Sequence, residues 1–206
     1  MAGESRNICL LSKEPGERDR VMSRTFKKKV HSLLKSPDLD QAIQELRKFP
    51  PQKIINPLFS FLQDMDQDIK WAAVRAMGAI VAGMADVDME SARVIMRRLM
   101  WNLNDESGGI GWGSPEAMGE ILANHEGLAE EYAHVLLSYA REDGNYLELA
   151  VLQRGLLWGI KRLSEVRPHL VQDAAPHLSP YMQSADAEVR DLAEQVLKIV
   201  TSKRLC

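Results

Sequence analysis

The chain has 206 residues, 45% of them hydrophobic and 27% charged, and carries a formal net charge of -3. That composition is ordinary for a globular chain long enough to bury one core, and its slight acidity argues against nucleic acid, whose binding depends on clustered Lys and Arg. No stretch reaches the roughly 18 uninterrupted apolar residues of a membrane helix, and the first residues lack the basic-then-apolar pattern of a signal peptide. Cys9 and Cys206 stand at opposite ends with no ligand spacing, so neither a disulfide framework nor a metal site is expected. The expectation is a cytoplasmic protein with no membrane partner, no metal and no cofactor.

Residues 1–17 are polar, with Pro15-Gly16 near their end, and read as a lead-in to a single domain over 18–206. A first helix is expected over 18–35, where Val21, Met22, Phe26, Val30, Leu33 and Leu34 recur at three- and four-residue steps and Ser36-Pro37 stops the run. A second follows over 38–49 until Pro50-Pro51, and a third over 53–63. Beyond that the expected helices alternate. Leading helices fall at 89–103, 128–141 and 169–182, and the first is amphipathic through Ala92, Ile95, Met96, Leu99, Met100 and Leu103. Second helices fall at 68–84, 115–125, 146–165 and 187–202.

The second helices repeat. Trp71-Ala-Ala-Val-Arg-Ala-Met-Gly78 aligns without a gap on Trp112-Gly-Ser-Pro-Glu-Ala-Met-Gly119, a step of 41, and Leu152-Gln-Arg-Gly-Leu-Leu-Trp-Gly159 continues it at a step of 40. Acidic turns precede the copies, at Asp64-Met-Asp66, Asp105-Glu106, Glu142-Asp143 and Asp186. Two helices per period of about forty is the pattern of an α-solenoid, in which single units cannot bury their apolar faces and neighbours stack into one core. The turn Asp followed by Val74-Arg75-Ala76, and again by Val189-Arg190-Asp191-Leu192-Ala193, resembles HEAT-like repeats over roughly 50–202, including the HEAT-like class first noted in phycobilisome lyases. The block from Asp105 to Glu120 resembles that of a group of bacterial HEAT-repeat proteins. The resemblance implies an all-α, short right-handed solenoid of about five helix pairs, with the second helices lining the concave face. It implies no activity.

One stretch breaks the repeat. In the register of 41, Gly108 to Gly113 stand where the preceding repeat opens its second helix, so this repeat gives up the first turns of that helix. Ser114 reads as an N-cap and Pro115 as a first-turn residue. A helix start behind Gly108, Gly109, Gly111 and Gly113 offers unpaired N–H groups, which suits a carboxylate, a phosphate or a chain carbonyl. No GK[ST] follows the glycines, and Asp105, Glu106 and Glu116 repel free phosphate, so a cationic or amide-rich partner fits better. The alternative is a structural turn packed under Trp112.

By register Arg75 and Glu116 are lateral neighbours, and Glu148 and Arg154 stand one repeat after Gly108 and Ser114. These four form either a charged strip beside the loop or a salt-bridge ladder between repeats. Trp158 lies in an apolar run and reads as core, whereas Trp112, flanked by glycines, reads as exposed. No catalytic residue is assigned. The candidate site residues are Asp105, Glu106, Gly108, Gly109, Gly111, Trp112, Gly113, Ser114, Glu116, Arg75, Glu148 and Arg154. They are read as belonging to a non-enzymatic scaffold that holds a protein or peptide. Two other readings stand beside it. One is a small-molecule enzyme using Glu106, Glu116, Glu120 and Glu148 as acid and base. The other is nucleic-acid binding through Arg24, Lys27, Lys28, Lys29 and Lys35 of the first helix.

Overall fold

The computed structural model describes residues 15–104 and 111–202. Ten α-helices run through these residues in chain order. They are α1 (Pro15–Leu34), α2 (Leu39–Arg47), α3 (Pro51–Phe61), α4 (Gln67–Ala85), α5 (Met89–Leu103), α6 (Ser114–Asn124), α7 (Glu126–Ser138), α8 (Ala150–Val166), α9 (Ala175–Leu178) and α10 (Ala187–Ser202). The short α9 lies between two 3-10 segments, Pro168–Ala174 and Ser179–Gln183. Consecutive helices pair, and the pairs stack through an inner row of α4, α6, α8 and α10. This is an all-α solenoid. None of these helices is long and apolar enough to cross a membrane.

Short-range chemistry sets the starts. Asp38 accepts the amide of Gln41, Asp66 those of Asp68 and Ile69, Asp88 that of Ser91, and Asp186 those of Glu188 and Val189. Each satisfies N–H groups that a first helical turn leaves open. The acidic turns of the repeat are thus caps in two of its copies, at Asp66 and Asp186. Glu142 and Asp143 do not play this part, since α8 starts behind Leu149 with no side-chain cap and Asp143 pairs with Arg141.

Several boundaries differ from the sequence reading by a few residues, α7 among them, which ends at Ser138 rather than 141. Helix α1 begins at Pro15 rather than residue 18. Helix α8 begins at Ala150 rather than 146, because Gln153 Nε2 donates to the Leu147 carbonyl at 2.8 Å and Leu147 donates its own amide to Tyr139 at 3.1 Å, holding that stretch out of the helix. The single helix expected over 169–182 is broken, with Pro176 and Pro180 each removing a donor from the ladder.

The inner row packs unusually closely around α6, whose residues Ser114 to Ala123 are all buried. A Cβ added at Gly119 would lie 2.3 Å from the Gly159 Cα, and one at Gly159 would lie 2.7 Å from the Pro115 carbonyl oxygen. The backbones of α6 and α8 therefore touch. On the other flank a Cβ at Gly78 of α4 would lie 2.5 Å from Glu120 Cγ. The outer row is looser and is bridged by long side chains. Arg98 of α5 stacks 3.8 Å from the Phe59 ring centroid and bonds Asn56 of α3, while Arg93 of α5 pairs with Glu131 of α7 at 2.5 Å. Close inner contacts and wider outer ones curve the stack.

Gly119→Ala is expected to lower stability by about 2–3 kcal/mol or more, because backbone, not a flexible side chain, meets the added methyl. Gly83→Ala in α4 meets nothing within 4 Å and should stabilise by about 0.5–1 kcal/mol. Urea unfolding of the two variants checks this, and equal effects would refute the close-contact account.

Candidate functional site

The concave face is built around two buried carboxylates. Glu116 and Glu120 lie one turn apart on α6 and are 3% and 7% exposed. Such groups stay charged inside a protein only with partners. Lys70 of α4 donates to Glu116 Oε1 at 2.6 Å, and Arg162 of α8 donates to Glu120 Oε2 at 2.8 Å. Each carboxylate also needs room on its other side. A Cβ at Gly155 of α8 would lie 2.4 Å from Glu116 Oε2, so that glycine makes the seat. Glu116 is thus bonded to α4 and seated on α8, and Glu120 is bonded to α8 and seated on α4.

Above this floor Trp71 of α4 and Trp158 of α8 meet with ring centroids 4.6 Å apart and planes at 48°. Their contact spans α6 and divides the concave face. On one side lies a cavity of about 510 Å³ walled by Trp71, Trp112, Trp158, Val151 and Leu192, with Lys70 and Glu116 at its floor and Met65, Arg154 and Glu188 about its mouth. On the other lies a space of about 530 Å³ with Arg47, Arg75, Glu120 and Arg162. The first cavity faces the opening turns of α4, α8 and α10, where α6 has none. Helix α6 has 11 residues against 19 in α4 and 17 in α8.

Asp105, Glu106, Gly108 and Gly109 lie outside the described residues. Gly111 packs under α5, where a Cβ would come 2.7 Å from the Asn102 carbonyl oxygen. Gly113 has φ +76 and abuts the Leu62 carbonyl, so both its backbone angle and its surroundings require glycine. Gly113, not Ser114, is the N-cap of α6; Ser114 is its first residue and is buried. The cavity brings Trp112, Glu116 and Arg154 together and leaves Arg75 and Glu148 outside its lining. Arg75 does not meet Glu116. It bonds Asp40 of α2 at 2.8 Å, while the exposed Glu148 gives its carbonyl to Gln153. Arg154 divides its guanidinium between Asp186 and Glu188, and its bond to Asp186, together with the Val189 amide, holds that carboxyl below the usual carboxylate range. The charged residues thus act chiefly as ladders between helices. A cationic partner is not needed to neutralise Glu116, because Lys70 does so.

Trp158 packs against the core, as its apolar run suggests, but it is only half-buried and its remaining face lines the cavity. Trp112 is also half-buried, yet its Nε1 is shielded and has no hydrogen-bond acceptor among the described residues. An unpaired buried donor costs about 1–3 kcal/mol. Lys70, Arg162 and the Trp71–Trp158 contact were absent from the sequence-level candidates. The available signal was Glu116 and Glu120 at a four-residue spacing in a helix otherwise apolar on all sides. No cluster of His, Cys, Asp and Glu among the described residues is arranged to hold a metal ion. Both buried glutamates are engaged in ion pairs, a poor starting state for an acid and base couple.

Fold and site together define a helical-repeat scaffold with a walled concave groove. No protein-family model matches the chain, and no curated protein matches its sequence, so the narrower phycobilisome-lyase class has no support. Solved structures resemble it in fold. An engineered protein superposes with a TM-score of 0.54 at 13% identity, covering 98% of this chain and 100% of that one. Another engineered protein, at 16% identity and TM-score 0.45, covers 84% of this chain, which spans only 47% of its length. A designed armadillo repeat protein, at 16% identity and TM-score 0.38, covers 84% of this chain and 98% of its own. The first likeness shows the fold alone, and the other two are too distant to carry anything further.

Lys70→Met is expected to destabilise the protein by about 3 kcal/mol, since it strands the Glu116 carboxylate in the interior. Adding Glu116→Leu should recover most of that loss. A double-mutant cycle by chemical denaturation tests it, and simple additivity would show that the pair is not coupled.

Proposed function

We propose that the protein is a non-enzymatic binding module that holds a segment of another protein in its concave groove. The carrying observation is the cavity of about 510 Å³ beside Trp112, which lies within the range of about 300–1,000 Å³ usual for ligand sites. Three indoles face it, and aromatic side chains are the commonest anchors of protein interfaces. Met65 and Val151 at its edge are 83% and 42% exposed, so apolar surface continues out of the cavity toward solvent. Lys70, Glu116, Arg154 and Glu188 are ion-paired within the chain, which favours recognition by shape and hydrogen bonding. In this reading Trp112 and Glu116, at the start of α6, meet the bound segment. Repeat scaffolds in general carry binding on such concave surfaces.

Panning a library of random peptides on the purified protein tests the proposal. Enriched peptides should bind the native chain, and Trp158→Ala or Trp112→Ala should weaken them about thirty-fold, the 2 kcal/mol that marks an interface anchor. Failure to enrich any peptide, or enrichment indifferent to both variants, would remove the groove as the binding surface.

A further inference from the structure

Charge is spread unevenly along the chain. Residues 1–53 hold 12 Lys and Arg against 7 Asp and Glu, and the remainder holds 14 against 22. The excess cations gather on α1, where no carboxylate occurs between Ser23 and Lys35. Arg24, Lys27, Lys28 and Lys29 are exposed there, and none of them meets a carboxylate among the described residues. Arg24 and Lys28, one turn apart, share a face that Lys27 and Lys29 flank. Later helices use their cations differently, as Arg75 lies on Asp40, Arg93 on Glu131 and Arg141 on Asp143. Lys35 stands apart from the four, in a depression that also holds Asp66 and Asp68.

Folding gives no reason for this cluster. Like charges four residues apart destabilise a helix. All four positions lie more than a turn from the end of α1 at Leu34, beyond the reach of the helix dipole. A solvated face needs charge of either sign, and a face of one sign repels itself until an anionic surface covers it.

We infer that Arg24, Lys27, Lys28 and Lys29 dock the protein on an anionic bilayer surface. Four such cations on one helix are enough to be drawn to acidic lipid head groups, each worth about five-fold in binding. Nucleic acid fits the surface less well. Three of the four are lysines, point charges without the guanidinium fork that grips phosphate in two places. The nearby rings cannot stack on bases, because Lys29 covers Phe49 at 4.6 Å and Lys27 covers Phe61 at 5.3 Å. The docking is peripheral, since no described helix could cross the bilayer. It departs from the expectation of no membrane partner, which rested on the lack of a spanning stretch. The surface is separate from the groove, whose lining contains none of the four.

The test is co-flotation of the 206-residue chain with vesicles of phosphatidylcholine alone, or of phosphatidylcholine and phosphatidylserine in equal parts. The protein should float only with the acidic vesicles. It should be released as salt rises from about 0.1 M to about 1 M, which shortens the screening length from about 10 Å to about 3 Å. Arg24→Gln with Lys28→Gln should weaken the association about thirty-fold, at about five-fold for each cation. The same variant should keep or raise the urea unfolding midpoint, since it relieves a like-charge repulsion. Arg97→Gln with Lys198→Gln removes equal charge from paired cations and should cost less than about three-fold. No flotation with acidic vesicles, equal flotation with neutral ones, or equal loss in the two double variants overturns the inference. Release from the vesicles by a DNA duplex at equal phosphate concentration also overturns it and assigns the surface to nucleic acid. Trp158→Ala, which tests the groove, should leave flotation unchanged, so the two readings fail separately.

Discussion

Helix α6 is clamped between α4 and α8, and the concave face depends on that clamp. Glycines remove the distance between helices: Gly119 lies against Gly159, and Gly78 and Gly155 open seats for Glu120 and Glu116. Carboxylates then enter the seats and are bonded from the opposite flank by Lys70 and Arg162. Close backbone approach alone would allow the helices to slide. With the glutamates in place, any slip of one turn leaves a buried carboxylate without its cation and pushes its side chain into a neighbour. Buried ion pairs of this kind add little net stability over apolar packing, but they penalise every arrangement in which they are broken.

The clamp also sets the curvature. Helices α4 and α8 come close enough around α6 for Trp71 and Trp158 to touch, although they lie two repeats apart. In the outer row the neighbours are bridged by arginines, as Arg98 reaches Phe59 and Arg93 reaches Glu131. Such links hold at a distance without shortening it. The shape of the binding face thus follows from glycines in one row and long cations in the other.

The sequence carried the fold well and the site only in part. Helix positions followed from apolar periodicity, and the step of 41 from Trp71 to Trp112 identified the inner row, because stacking repeats impose the same pattern on each copy. The failures came where something outside the repeat decides. Pro176 and Pro180 broke an expected helix, and Gln153 pulled the start of α8 out of register. Register predicts neighbours one repeat away. It therefore paired Arg75 with Glu116, when helix rotation sends Arg75 to Asp40 and gives Glu116 to Lys70. It could not bring Trp71 to Trp158, because a contact across two repeats depends on curvature, which no single period encodes.

The same register explains why the cavity exists. Helix α4 begins at Gln67, so a step of 41 would start α6 at residue 108; it starts at Ser114, six residues later. Six residues of helix are about 9 Å of a cylinder some 10 Å across, a volume on the order of 700 Å³. The cavity beside Trp112 holds about 510 Å³ and faces the first turns of α4, α8 and α10, the level at which α6 lacks them. Its wall includes Trp71, Val151, Trp158 and Leu192. Glu116 reaches the cavity because it lies in the first turn of α6, and its pairing with Lys70 is what lets that buried floor stay charged. The glycines required at 111 and 113 are the ones that let the chain arrive between Asn102 and Leu62 and enter α6 late. Gly111 and Gly113 thus bring the chain into a helix that starts six residues later than the register predicts, in an otherwise close-packed row.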